Sequence, residues 1–245
     1  MILRVSIIII VQFFFVNCHK HYYKQKEEYK HYSLKEQSNK NNTSDSLLRF
    51  KLKVDAETGK VIAIAADEFT KEGAETTLGN FVCDALLYAG KIEFKTEPDI
   101  IILNRGGLRI NLPKGEIKVS TIFELMPFEN EMVIITVLGE KLIQGLPTFL
   151  EKKHPFYGMK VKMEKNRTVS VLINGTKIDA AKSYVILTSD YLANGGDNIS
   201  FLKEPLSIKL SSLKIRDAII NYCLHLTENK KQLIPYIDGR FEISK

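Results

Sequence analysis

Residues 76–109 read TTLGNFVCDALLYAGKIEFKTEPDIIILNRGGLR, and their periodicity changes along the way. Leu78, Val82, Ala85, Leu86 and Ala89 recur at helical spacing, Thr77 can cap the start and Gly90 marks the end, so a helix with one buried face is expected here. DIIILN (99–104) is then a short continuous apolar run with polar flanks, the pattern of a strand covered on both faces, and RGGLR (105–109) is its turn. What covers that strand has to come from the rest of the chain.

Upstream, LLRFKLKVDAETGKVIAIAADEF (47–69) alternates apolar and polar residues across a glycine turn and predicts a β-hairpin. Downstream, EIKVSTIFELMPF (116–128) and NEMVIITVLG (130–139) read as strands, the first running into a short helix. GEKLIQGLPTFLEKK (139–153) reads as a helix interrupted by Pro147. GMKVKMEKNRTVSVLINGTKID (158–179) is a meander whose Asn174-Gly175 pair signals a type I′ hairpin. SYVILTSDYLA (183–193) is a further strand, SSLKIRDAIINYCLHL (211–226) an amphipathic helix and FEISK (241–245) a last strand. Helices and strands mix without regular βαβ alternation. That favours an α+β fold, a mixed sheet with packed helices, over a doubly wound parallel sheet.

The 245 residues suffice for one good-sized core. The net charge of +6 is spread among alternating Lys and Asp/Glu with no basic block, so no nucleic-acid partner is expected. MILRVSIIIIVQFFFVN (1–17) has an early arginine and an apolar run short for a bilayer, the layout of a lipoprotein-type signal peptide, and Cys18 follows it directly as a lipidation site. Ordinary cleavage nearby and an uncleaved anchor are the alternatives, and Phe15 and Asn17 depart from the residues usual before such a cysteine. The expectation is export, with the chain membrane-anchored on the periplasmic or cell-surface side. Residues 18–46 are polar and Lys-rich, too poor in aliphatic side chains to fold alone, and read as a flexible tether ahead of a domain at 47–245. The tether holds His19, His21 and His31. Cys83 and Cys223 fit either two buried small hydrophobes or a single bridge.

Outside the tether only His154 and His225 remain, neither beside an Asp/Glu/His cluster at ligand spacing, so no metal site and no cofactor is expected in this chain. The polar turns are more informative. NRGGLR (104–109), MPFEN (126–130) and SDYLANGGDN (189–198) each adjoin an apolar strand. Taken singly, Gly106, Gly107, Gly195 and Gly196 are turn formers, and Phe128 and Tyr191 are packing residues. Taken together they suit a nucleotide: two aromatics for a planar ring, an acid for vicinal hydroxyls, an arginine for phosphate.

LGNFVCDAL, ILNRGGLR, GEIKVSTIFELMPFEN and LANGGDN, in this order and spacing, resemble the C-terminal domain of 5′-nucleotidases and UDP-sugar hydrolases over about residues 48–245. The resemblance implies that Phe128 and Tyr191 sandwich the base, with Tyr191 standing where the family usually has phenylalanine, and that Asp197 holds the ribose hydroxyls. It implies Asn104 near the nucleoside, Asn130 near the base and Arg109 on phosphate. An arginine that relatives often carry before the LGN helix is absent from TKEGAETT (70–77), leaving Lys71 there, with Arg105 either compensating or serving as a surface charge. The two-metal phosphoesterase half of the fused enzymes has no counterpart in these residues. The expected function is therefore the nucleotide-binding, substrate-specificity part of a split 5′-nucleotidase, inactive alone, whose divalent metals belong to a separate metallophosphoesterase partner. The alternatives are a stand-alone surface receptor for nucleosides or nucleotides, and a non-binding structural relic.

Overall fold

A computed structural model of the chain describes residues 42–164 and 167–244. The leader, Cys18 and the tether histidines lie outside the described residues. Among the described residues, no helix is long and apolar enough to cross a membrane.

The expected hairpin at 47–69 is half right. Its second arm is a strand, β1 (Val61–Ala65), but its first arm is a helix, α1 (Asn42–Thr58), which starts inside the segment read as tether. The reason is that neither side of this segment is buried: Leu47, Leu48, Phe50, Leu52 and Val54 are all exposed. With no face to pack, the alternation selects nothing, and a run of Leu, Arg, Lys, Ala and Glu follows its helix propensity.

The helix read from residues 76–92 is present as α2 (Thr77–Phe94), and all five residues of its predicted face are buried. Its ends differ from expectation. The cap is Thr76, whose hydroxyl accepts from the Gly79 N–H at 3.0 Å, and the helix continues through Gly90 to a left-handed Lys95. Gly90 is there for contact: a Cβ on it would lie 2.6 Å from a Leu187 methyl. Helix and sheet meet at that point.

The buried strand β2 (Ile100–Ile102) forms as expected. β3 (Gly115–Lys118) pairs antiparallel with β1, Ile117 opposite Ala63, and leads into the short helix α3 (Val119–Leu125). β2 itself lies in a five-stranded sheet with β4 (Glu131–Leu138), β5 (Phe156–Tyr157), β9 (Ser183–Ser189) and β10 (Ser207–Lys214), in the order β10-β4-β9-β2-β5. All neighbours are antiparallel except β2 and β9. One face, with Ile101, Met132 and Leu187, packs with α2 and α6 (Ile215–Glu228). The other, with Ile100, Ile102, Val133 and Ile186, packs with α4 (Gly139–Glu151). Two cores on one sheet explain the near-continuous apolar runs of its inner strands.

A second sheet carries the meander β6 (Met159–Glu164), β7 (Arg167–Ile173) and β8 (Thr176–Lys177), with the last strand β11 (Phe241–Ser244) parallel to β6. Asn174 and Gly175 both have positive φ, 50° and 76°, as a type I′ turn requires. Pro147 does not interrupt α4; its missing N–H costs one bond to Ile143, which lies on the exposed side, where water can serve that carbonyl. The expected helix from Ser211 begins only at Ile215, because Ser207–Lys214 is the edge strand β10, whose mostly exposed residues leave little periodic signal. Cys83 and Cys223 are free and buried, and burial pushes each thiol up to about 12. They are two small hydrophobes, not a bridge.

Candidate functional site

Strand direction brings the three polar turns together. β2 and β9 are parallel, and β4 runs against β9 with Met132 opposite Ser189. The ends of β2 and β9 and the start of β4 therefore share one sheet edge. NRGGLR leaves β2 as a single 3-10 turn at Arg105–Gly107, MPFEN enters β4 from α3, and SDYLANGGDN leaves β9 through the one-turn helix α5 (Asp190–Ala193).

At that edge lies a cavity of about 320 Å³. Phe128 and Tyr191 line it, together with Asn104, Gly106, Arg109, Asn130 and Asp197. The Arg109 guanidinium lies 5.9 Å from the Phe128 ring centre. Asp197 sits in the left-handed region at φ 52°, followed by Asn198 at 61°, and Gly195 before them is at 87°. Its carboxylate is held on both oxygens: the Tyr191 hydroxyl donates to Oδ1 at 2.8 Å and the Asn104 amide to Oδ2 at 2.8 Å. Gly196 allows this arrangement, since a Cβ there would stand 2.4 Å from the Tyr191 ring.

Arg105 is placed differently from the other polar residues. Its guanidinium donates to the carbonyls of Gly73, at 2.9 Å, and Lys71, tying down the TKEG segment. It lines an adjoining cavity of about 420 Å³ with Lys71, Leu108, Gly106 and Arg109, the last two shared with the first cavity. The Lys71 ammonium donates to the Arg109 carbonyl at 3.0 Å. Gly107 is buried in the turn, against the Asn104 amide.

Several residues that frame the site were not singled out from sequence. Asp190 joins the two aromatic-bearing turns, its Oδ1 accepting from the Tyr191 N–H at 2.7 Å and the Glu131 N–H at 3.1 Å. Glu129 receives Lys214 and the buried Arg216, which lies 4.0 Å over Phe123; hydrogen bonds from Lys214 and then Arg216 hold the Glu129 carboxyl below its usual range. The Ile215 N–H donates to the Asn130 carbonyl at 2.9 Å, so the start of α6 secures the MPFEN turn. Lys152 donates to the Asp197 carbonyl at 2.8 Å. His154 is buried against Phe149 and accepts the Arg105 N–H through Nδ1 at 3.0 Å. Burial pushes its pKa down to about 4. The only advance signal for any of these was position: Asp190 precedes Tyr191, Glu129 follows Phe128, and His154 lies in a loop.

Among the described residues, no group of three or more His, Cys, Asp or Glu side chains is placed to hold a metal ion. The two-metal centre of a phosphoesterase has no fitting donor set among them.

The sequence profile described as 5′-nucleotidase, C-terminal domain, matches residues 57–204. An apyrase of Tabanus yao is 26% identical over 61% of this chain and 32% of its own length, and the trifunctional nucleotide phosphoesterase protein YfkN of Bacillus subtilis is 29% identical over 53% and 10%. The chain thus spans a third or less of these relatives. Among solved structures, a 5′-nucleotidase precursor from Thermus thermophilus superposes with a TM-score of 0.71 at 25% identity, covering 82% of this chain and 42% of that one. Profile, motif order and fold agree, and the chain belongs to the 5′-nucleotidase C-terminal domain family.

Proposed function

We propose that this domain is the nucleotide-binding, substrate-specificity part of a split 5′-nucleotidase, acting with a separately encoded metallophosphoesterase and held outside the cell membrane through a lipid on Cys18. The observation that carries the ligand class is the cavity at the strand ends. It has two half-exposed aromatics for a base, a fixed carboxylate for ribose hydroxyls and Arg109 leading into a cationic neighbour for phosphate. The lipid anchor rests on residues 1–18 of the sequence alone.

Titration of the purified chain with adenosine and AMP by calorimetry tests the ligand class. Asp197→Ala is expected to weaken adenosine about thirtyfold, the ~2 kcal/mol of charge-assisted hydrogen bonds. Phe128→Ala is expected to weaken it about tenfold through lost stacking. A wild-type chain that binds neither ligand would sink the proposal. Supplied with divalent cations, the chain alone is expected to leave AMP intact, phosphate appearing only once the metal-bearing partner is added. Phosphate release by the pure chain would rule out the split arrangement.

One observation favours a second reading, a receptor for nucleosides. The Arg105 guanidinium donates to the Gly73 and Lys71 carbonyls, the Lys71 ammonium to the Arg109 carbonyl and the Arg109 guanidinium to the Gly106 carbonyl at 3.3 Å, so each of the three cations beside the cavity already has a backbone partner. Adenosine binding as tight as AMP, without a partner-dependent activity, would select that reading.

A further inference from the structure

The Tyr191 hydroxyl has two partners on one residue. It accepts the Asp197 backbone N–H at 3.1 Å and donates to Asp197 Oδ1 at 2.8 Å. The two bonds close a small ring that fixes both the left-handed main chain of Asp197 and the rotation of its carboxylate. From the other side the Asn104 amide holds Oδ2, and Lys152 holds the Asp197 carbonyl. A phenylalanine would fill the same place against Gly196 but make neither bond.

A carboxylate has about four acceptor positions. With one taken on each oxygen by Tyr191 and Asn104, each oxygen keeps one open, and the pair points as the carboxylate plane is set. Two neighbouring acceptors of fixed orientation match the two O–H donors of a cis vicinal diol. A rotating carboxylate would meet such a diol with one oxygen at a time.

We propose that the Tyr191 hydroxyl is a positioning group that makes this site selective for ribosides, ligands with a free cis-diol, over deoxyribosides. The inference rests on the reading of the cavity as a nucleoside site and adds a determinant of sugar specificity to it. Tyr191 acts through Asp197: its ring lines the cavity while its hydroxyl sets the acid.

The test compares adenosine with 2′,3′-dideoxyadenosine, by calorimetry on the full chain, in wild type and Tyr191→Phe. The wild type is expected to prefer adenosine by tenfold or more, and the ratio of the two affinities is expected to fall about tenfold in Tyr191→Phe. Parallel weakening of both ligands, an unchanged ratio, or tighter adenosine binding in Tyr191→Phe overturns the proposal. The wild type alone provides a test that needs no variant: equal affinity for adenosine and its dideoxy analogue overturns the proposal while the nucleoside reading stands. Binding of neither ligand by the wild type overturns both.

Discussion

Gly196→Ala is expected to weaken nucleoside binding about a hundredfold while leaving the thermal unfolding midpoint within a few degrees of wild type. Gly196 has no positive φ, so alanine fits its backbone, and the effect comes from the side chain alone. The added Cβ would stand 2.4 Å from the Tyr191 ring, which must swing away. That movement removes one stacking surface, worth ~1–3 kcal/mol, and breaks the two Tyr191–Asp197 hydrogen bonds that orient the acid. About 3 kcal/mol lost at the ligand is a hundredfold or slightly more. The unfolding midpoint is spared because Tyr191 is 41% exposed and outside both cores. Adenosine calorimetry with a parallel melt checks both halves. Wild-type affinity in this variant would mean that the Tyr191 ring is free to move without consequence for the ligand.

A second large effect concerns acid stability. His154 titrates near 6.5 in an unfolded chain and at about 4 in the folded one, mainly because burial disfavours the imidazolium, with Lys152 and Arg105 adding to it and Asp197 opposing. Between those values the unfolded state binds more protons, so stability falls as pH falls from 6.5 towards 4 and is complete above 6.5. The full difference is about 3 kcal/mol. His154→Asn keeps an acceptor for the Arg105 N–H and removes the titration, so its denaturant-derived stability should lose about 3 kcal/mol less than wild type over that window. Near pH 7 it should be slightly less stable, having lost the packing on Phe149. Parallel pH profiles for the two proteins would show that His154 is not the acid-sensitive group.

These residues differ in how far the sequence announced them. Phe128, Tyr191, Asn104 and Asp197 each adjoin a strand or a glycine turn, in motifs that carry a family resemblance, and they were nameable before the fold was known. Asp190 and Arg216 were not, and His154 stood out only as a histidine without metal-ligand neighbours. Asp190 meets Glu131 across 59 residues of sequence, His154 meets Arg105 across 49, and Arg216 meets Glu129 across 87. A hydrogen bond between such positions leaves no periodic trace in either segment. Arg105 is a different case: the sequence leaves it open as a compensating cation or a surface charge, and the fold adds that its guanidinium holds the Lys71 and Gly73 carbonyls at the wall of the second cavity.

The sequence by itself determined the buried face of α2, the buried strand after it, the Asn174-Gly175 turn and the order of motifs that marks the family. Each depends on side-chain periodicity or on the φ preference of one or two residues, which a short window contains. Only the tertiary structure decided that residues 42–58 form a helix, that Gly90 lies inside α2 against Leu187, and that three turns meet at one sheet edge. Those outcomes depend on which surfaces a distant segment covers and on the direction in which strands pair. Neither is encoded in the spacing of nearby residues.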